Sequence, residues 1–509
     1  MKVVTASKMK YLEALAFKQG SSETDFMEEA GSGIALVVHD YVEIHNLEHT
    51  IQMVCGKGNN AGDAYVAGIH LLHLDYDIVA YQLVPIDDCS KLCQDNYRRF
   101  LEEGGRVLRI DHPDNLYFPY KGLIIDGILG TGFSGKVSDL YGIVIEKMNQ
   151  SGLPIIAVDI PSGLDGSTGI VQTDNRSVIA TETAFLGLPK LGFFLNDGWE
   201  SVGKLRYVNF GLPENFIEES DTDYIMLTKE DVAPLLPKMM RTRHKYQAGH
   251  VVALAGSPEM PGAALLSTNA ALHSGAGIVH LLHPAGMEIQ LAASIPELIK
   301  IPYATDADSL QVVLTAMNKA SAVFVGPGLG RGVKTFELLR QVLPALNVPC
   351  VIDADALNFL ASPEGQHISL PEQCILTPHR GEMDRLLNIS EPHTPITEDY
   401  LNRCVKYANA KNATIVLKGG PTYIIPPEGS IYICPRGDPG MATAGSGDIL
   451  TGLIAGFLAQ KLLPKQAALL GCYIHGTAGE YAAVELTSYC MTASDILYRF
   501  PEGFLLEEM

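Results

Sequence analysis

Residues 437–459, GDPGMATAGSGDILTGLIAGFLA, decide how the second half of this chain is read. A Gly-rich run turns straight into a helix. Ile449, Leu450, Leu453, Ile454, Phe457 and Leu458 leave that helix apolar nearly all round, which predicts burial. Gly445 and Gly447 leave backbone N–H groups bare at its start, and a helix N-terminus with free N–H groups binds phosphate. Asp448 stands on the first turn, where the dipole favours an anion and a carboxylate can act as a base. A Ser/Asp cap with glycines for a tight turn explains the same letters, so the stretch needs support from the rest of the chain.

That support comes from the segments before it. Apolar runs at Val251–Ala255, Ala322–Val325, Val351–Ile352, Ile375–Thr377 and Ile415–Leu417 alternate with helical periodicity, which predicts a doubly wound α/β sheet. The runs end in Gly256–Ser257, GPGLG, DADALN, PHRGE and Lys418. Asp353, Asp355, Asn358, His379, Glu382 and Lys418 therefore gather at C-terminal strand ends, the edge where open α/β sheets bind ligands. His379 also reads as a solvated helix cap, and Lys418 as a surface charge.

The first half repeats the logic. Residues 6–18 and 23–44 have helical periodicity. The strand Ile51–Cys55 runs into GKGNNAGDAYVAG, where Gly56, Gly58 and Ala61 have dinucleotide-turn spacing. Asn59, Asn60 and Asp63 are costly in such a turn unless they hold something. After Leu123–Ile125 come Asp126 and GILGTGFSG; after Ile155–Val158 come Asp159 and IPSGLDG. Asn60, Asp126 and Ser162 offer oxygen ligands, which suit a hard cation. Residues 211–235 turn polar and acidic, so a linker is expected at 219–230, between domains 1–218 and 231–509.

A chain of 509 residues predicts two or three domains. The net charge of -21 argues against nucleic acid or anionic membrane as a partner, though not against a phosphorylated ligand held by backbone N–H groups. The nine cysteines are scattered without any C-x-x-C, which is reduced, cytoplasmic usage. No signal peptide and no membrane span is expected, because no apolar run approaches the ~18 residues a span needs.

The motifs K-G-N-N-A-G-D (57–63), D-G-I-L-G-T-G (126–132) and V-D-I-P-S-G-L-D (158–165) resemble the NAD(P)H-hydrate epimerase domain. The resemblance implies a Rossmann-like α/β/α sandwich that binds potassium and interconverts the R and S forms of hydrated NAD(P)H. Carried over, Asn60, Asp126 and Ser162 are the potassium ligands. Asn59, Asn60, Ala61, Gly62 and Asp63 line the substrate. So do Gly130, Thr131, Gly132, Phe133, Ser134, Gly135, Lys136 and Asp159, with Tyr141 as a further contact. Asp159 is the acid/base group. Ala61 and Ala64 stand where the family has glycine, so either φ is negative at both or the loop differs, since a Cβ at positive φ costs about 1 kcal/mol or more.

GPGLG (326–330), VIDADALN (351–358), LTPHRGE (376–382), LKGGPT (417–422) and GMATAGSGDILTG (440–452) resemble the NAD(P)H-hydrate dehydratase domain of the ribokinase-like superfamily. Together the two resemblances imply the fused bacterial or archaeal form, which uses ADP with magnesium and releases AMP and phosphate. Ala263, Gly328 and His379 then contact the hydrated dinucleotide, Asp448 is the base, and Lys418, Gly419, Gly420, Pro421, Thr422 and Gly447 hold the adenine nucleotide. The chain departs from the family at Tyr246, Arg380 and in A-G-S-G-D for G-G-T-G-D; Ser446 keeps the hydroxyl. A cytoplasmic homo-oligomer is expected. Two other readings stay open: a ribokinase-type small-molecule kinase, and a first half that binds without turnover.

Overall fold

β1 (Thr50–Cys55), β2 (Asp77–Gln82), β3 (Arg106–Arg109), β4 (Leu123–Gly127), β5 (Ile155–Val158), β6 (Glu182–Leu186) and β7 (Lys204–Val208) form one sheet, in the order β3-β2-β1-β4-β5-β6-β7. Every neighbouring pair is parallel. β4 and β5 are buried at every residue, as strands covered on both faces must be, and this is why they read as continuous apolar runs rather than alternating ones. The computed structural model describes residues 1–171, 176–218, 220–292, 294–304, 307–390 and 395–506. By its internal packing the chain divides into Met1–Tyr224 with Pro395–Glu398, and Ile225–Thr394 with Asp399–Met509.

The second unit carries a ten-stranded sheet. Its strands are β8 (Tyr224–Met226), β9 (His250–Leu254), β10 (Ile278–Pro284), β11 (Ile299–Tyr303), β12 (Ala322–Val325), β13 (Cys350–Ile352), β14 (Cys374–Leu376), β15 (Ala413–Leu417), β16 (Thr422–Ile425) and β17 (Ile431–Cys434). The order is β11-β10-β9-β12-β13-β14-β15-β16-β17-β8. β11 through β15 pair in parallel, and β16 and β17 are antiparallel additions. Each sheet has a point where the chain reverses its direction of winding, between β1 and β4 in the first and between β9 and β12 in the second. Such a switch point opens a crevice at the C-terminal strand ends.

The helix Ser446–Ala459 is buried along nearly its whole length. It can lie this deep because small residues let it approach the helix Pro261–His273: a Cβ on Gly452 would meet Ser267 O at 1.9 Å, and one on Gly456 would meet Ser274 Oγ at 1.6 Å.

Two expectations are corrected. The segment read as a linker at 219–230 contributes strand β8 and the start of the helix Lys229–Val232. Its acidic letters hid a three-residue edge strand. The Gly-rich turn after β1 is shorter than its composition suggested: the helix Asn59–Leu72 starts at Asn59, so Ala61 and Ala64 are helical and neither has positive φ. The Ala64 methyl faces Gly127, where an added Cβ would come within 2.8 Å of it. Among the described residues no helix is long and apolar enough to cross a membrane.

Candidate active sites

At the β1/β4 switch point the first unit encloses a cavity of about 800 Å³. Asn59, Asn60, Asp63, Gly130, Thr131, Gly132, Phe133, Ser134, Lys136, Tyr141 and Asp159 line it. Ala61, Gly62 and Gly135 do not: Ala61 is packed in the core, and Gly62 gives room to Met27.

Asn60, Asp126 and Ser162 converge beside this cavity. The Ser162 hydroxyl donates to Asp126 Oδ1 at 2.6 Å, the Ser162 N–H donates to Oδ2 at 2.8 Å, and Asn60 Nδ2 donates to Leu129 O at 3.0 Å. Asp126 is fully buried and has no ion-pair partner among the described residues. Burial pushes its carboxyl up to about 6, against the opposing pull of its Ser162 and Ile128 hydrogen bonds. A buried carboxylate among neutral oxygens fits a hard cation.

Asp159 follows β5 with φ 61° and lines the cavity. There it accepts from the Leu186 N–H at 2.9 Å and forms an ion pair with Lys190. The Lys190 side chain has no exposed surface, and its Nζ also donates to Leu186 O at 3.0 Å. Lys190 escaped the sequence reading because a lysine in GLPKLG looks like a surface turn.

In the second unit the polar strand ends meet around the start of the helix Ser446–Ala459. Gly445 has φ 92°, and a Cβ on Gly447 would stand 3.1 Å from Lys418 Nζ. A side chain there would press on the ammonium. Lys418 Nζ donates to Asp353 Oδ1 at 2.8 Å, and Thr451 Oγ1 donates to Asp353 Oδ2 at 2.7 Å. Burial, then Asp353, push the Asp448 carboxyl up to about 7 against the pull of Lys418. Thr451 was missed, although a hydroxyl three residues after Asp448 in an apolar helix was a signal for it.

Gly328 and Ala263 adjoin at the β9/β12 switch point. Gly328 has φ 63°, and a Cβ on it would lie 2.9 Å from the Ala263 methyl. Ser257, just beyond β9, is buried, and its hydroxyl has no hydrogen-bond partner among the described residues. His379 does cap a helix: its Nδ1 accepts from the Gly381 N–H at 3.0 Å, and its backbone bridges to Lys418. The remaining face of its ring is exposed toward solvent. Gly419 and Gly420 are exposed, and the Thr422 hydroxyl donates to Gly419 O at 3.0 Å.

Two family models match the chain, one described as YjeF-related protein N-terminus over residues 23–192 and one as NAD(P)H-hydrate dehydratase over residues 251–502. A relative from Moorella thermoacetica named bifunctional NAD(P)H-hydrate repair enzyme is 36% identical over 98% of this chain and 96% of its own. The chain belongs to the bifunctional NAD(P)H-hydrate repair enzymes. A relative of the same name from Coxiella burnetii is 35% identical over 95% of this chain and 96% of its own. A crystal structure of a ribokinase-like superfamily protein from Enterococcus faecalis is 28% identical, with a TM-score of 0.50, over 56% of this chain and 96% of its own. As a repair enzyme the chain joins an epimerase to a dehydratase, and the kinase reading is not favoured.

Proposed function

We propose that residues 1–218 epimerise R- and S-NAD(P)HX, and that residues 231–509 dehydrate the S form to NAD(P)H at the expense of ADP, releasing AMP and phosphate. The observation that carries this reading is Asp448, a carboxyl pushed up to about 7 on the first turn of a buried helix, beside the bare Gly445–Gly447 backbone and Lys418.

The hydroxyl on the ring carbon beside nitrogen is a poor leaving group. Asp448, as carboxylate, takes its proton while the oxygen attacks the terminal phosphoryl of ADP and AMP departs. The N–H groups of Gly445 and Gly447 and the Lys418 ammonium stabilise the charge on the phosphoryl in flight. Phosphate then leaves with the C–O bonding pair. The ring nitrogen lone pair fills the gap, and loss of the neighbouring C–H proton restores the dihydronicotinamide. ADP enters as its magnesium complex. Lys418, Gly419, Gly420, Pro421, Thr422 and Gly447 hold the nucleotide; Ala263, Gly328 and His379 hold the dinucleotide.

In the epimerase half Asn60, Asp126 and Ser162 hold potassium, whose charge offsets the buried Asp126 carboxylate. The cavity-lining members of 59–63 and 130–136, with Tyr141, hold the substrate, and Asp159 is an acid/base group. The nine free thiols, eight of them buried, fit the reduced cytoplasm. A homo-oligomer is the expected assembly.

The test is Asp448→Asn, assayed by recovery of dihydronicotinamide absorbance from the S epimer with ADP. A positioned general base contributes roughly 10²–10⁴-fold, so a fall of at least ~100-fold with ADP binding unchanged is expected. A fall of only ~2-fold removes Asp448 from that role.

A further inference from the structure

The cavity of the first unit holds a carboxyl from an element that none of the motifs touches. Glu13 lies on the helix Ala6–Lys18, outside the span 23–192 matched by the family model, and it lines the cavity together with Asp63 and Asp159. Met9, Leu12 and Ala16 pack the same helix into the core, so Glu13 is held at the cavity wall rather than carried on a loose terminus. It has no hydrogen-bond or ion-pair partner among the described residues. A partly buried carboxyl left unpaired beside another carboxylate is unfavourable for folding alone.

We propose that Glu13 is the second acid/base group of the epimerisation, acting with Asp159 on the hydroxylated ring carbon. The inference rests on reading this unit as the epimerase. Inversion through loss and return of water takes oxygen from one face of the carbon and brings it back to the other. Protonated Glu13 gives its proton to the hydroxyl. The C–O bond breaks, its pair leaves with water, and the ring nitrogen lone pair forms the C=N bond. A water on the opposite face then adds to the carbon, the C=N pair returns to nitrogen, and the Asp159 carboxylate takes the proton that the water loses. Proton exchange with solvent resets both groups, and the reverse direction exchanges their roles. One carboxyl must start protonated and the other ionised. Asp159 is the member of the pair that contacts the Lys190 ammonium. Burial, then the Asp159 charge, push Glu13 up to about 7, which leaves it able to give or take a proton at neutral pH. The charged groups that act on Glu13 are Lys10 on its own helix, Asp63 on the helix Asn59–Leu72, Asp159 after β5 and Lys190 after β6, and Glu23, Lys57 and Lys136 line the same cavity.

The full-length chain supplies its own control, because the fused dehydratase consumes only the S epimer. Glu13→Gln is assayed with magnesium, potassium and ADP, first on S-NADHX and then on R-NADHX. The expected result is an unchanged rate from the S form, and a fall of at least ~100-fold in kcat from the R form with KM within about threefold. The limb near pH 7 is lost from the R-form profile, and Glu13→Asp restores part of the rate. Wild-type kcat and pH profile in Glu13→Gln overturn the proposal. So does a change confined to KM, which would make Glu13 a binding contact. Failure of the wild-type chain to convert the R form while it repairs the S form overturns the epimerase reading itself, and the proposal with it.

Discussion

Removing the Lys190 ammonium is the sharpest test of how the first unit is built. Its side chain has no exposed surface, and that of Asp159 is 8% exposed, so solvent screens the pair very little. Breaking a buried ion pair by deleting one partner costs about 3–5 kcal/mol, because the other charge stays buried without compensation. Lys190→Met keeps most of the side-chain volume, so that loss is electrostatic rather than a cavity effect. Leu186 O loses a donor as well. Two units make a single whole-chain unfolding energy undefined, but the one tryptophan, Trp199, belongs to the first unit and stacks on Phe194 at 5.9 Å. Its fluorescence reports that unit alone. For a unit of this size ~1 kcal/mol moves Tm by about 2–4 °C, so the Trp199 midpoint is expected to fall by roughly 6–20 °C. Lys190→Met/Asp159→Asn removes the stranded charge and keeps the acceptor for the Leu186 N–H, so it recovers most of that loss. A single variant within ~2 °C of wild type, or a double variant no better than the single, refutes the account.

Asp448 must be ionised to act, and its carboxyl sits at about 7, so kcat/KM for S-NADHX with ADP rises with pH through about 7 and then levels; a limb near pH 4 instead would count against the assignment. Gly326→Ala puts a Cβ 1.8 Å from Asp353 O at a residue with φ 128°, which costs about 2–5 kcal/mol from strain and overpacking. Calorimetry should show the second unit melting lower with the Trp199 midpoint unmoved, and an unchanged thermogram contradicts the packing described. Burial pushes the Asp126 carboxyl up to about 6 and the Glu13 carboxyl up to about 7, both above the ordinary carboxylate range. Below the ordinary carboxylate range both states hold these protons; between there and about 7 only the folded state does, so the first unit loses stability as pH rises through that window. Potassium offsets the Asp126 part. Replacing it with tetramethylammonium should therefore lower the Trp199 midpoint more at pH 8 than at pH 5, and an equal effect at both refutes potassium at Asp126.

What the sequence disclosed, and what it withheld, follows from how far apart the cooperating residues lie. The parallel sheets were legible because buried strands write themselves as apolar runs, and the polar residues that stop those runs fall at the ligand edge. Asp448 was legible because its role needs only its neighbours, Gly445 and Gly447, and a helix behind them. Pairings across the chain leave no such local trace. Thr451 and Asp353 share a hydrogen bond across 98 residues, and Lys190 reaches Asp159 across 31. Each of these partners reads alone as an ordinary polar residue. At Ala61 and Ala64 the sequence left two possibilities, negative φ or a different loop, and the structure shows the first. A helix that begins at Asn59 gives Asn60 and Asp63 their rigid placement at the cavity, which a flexible loop would not. Glu13 is hidden for a related reason. Lys10 and Glu13 sit three residues apart on an amphipathic helix and look like a solvated pair, but the cavity takes Glu13 out of water and places it near Asp159. Burial turns a surface-like letter into a group that titrates near neutrality, and burial is set by the tertiary fold rather than by the sequence around residue 13.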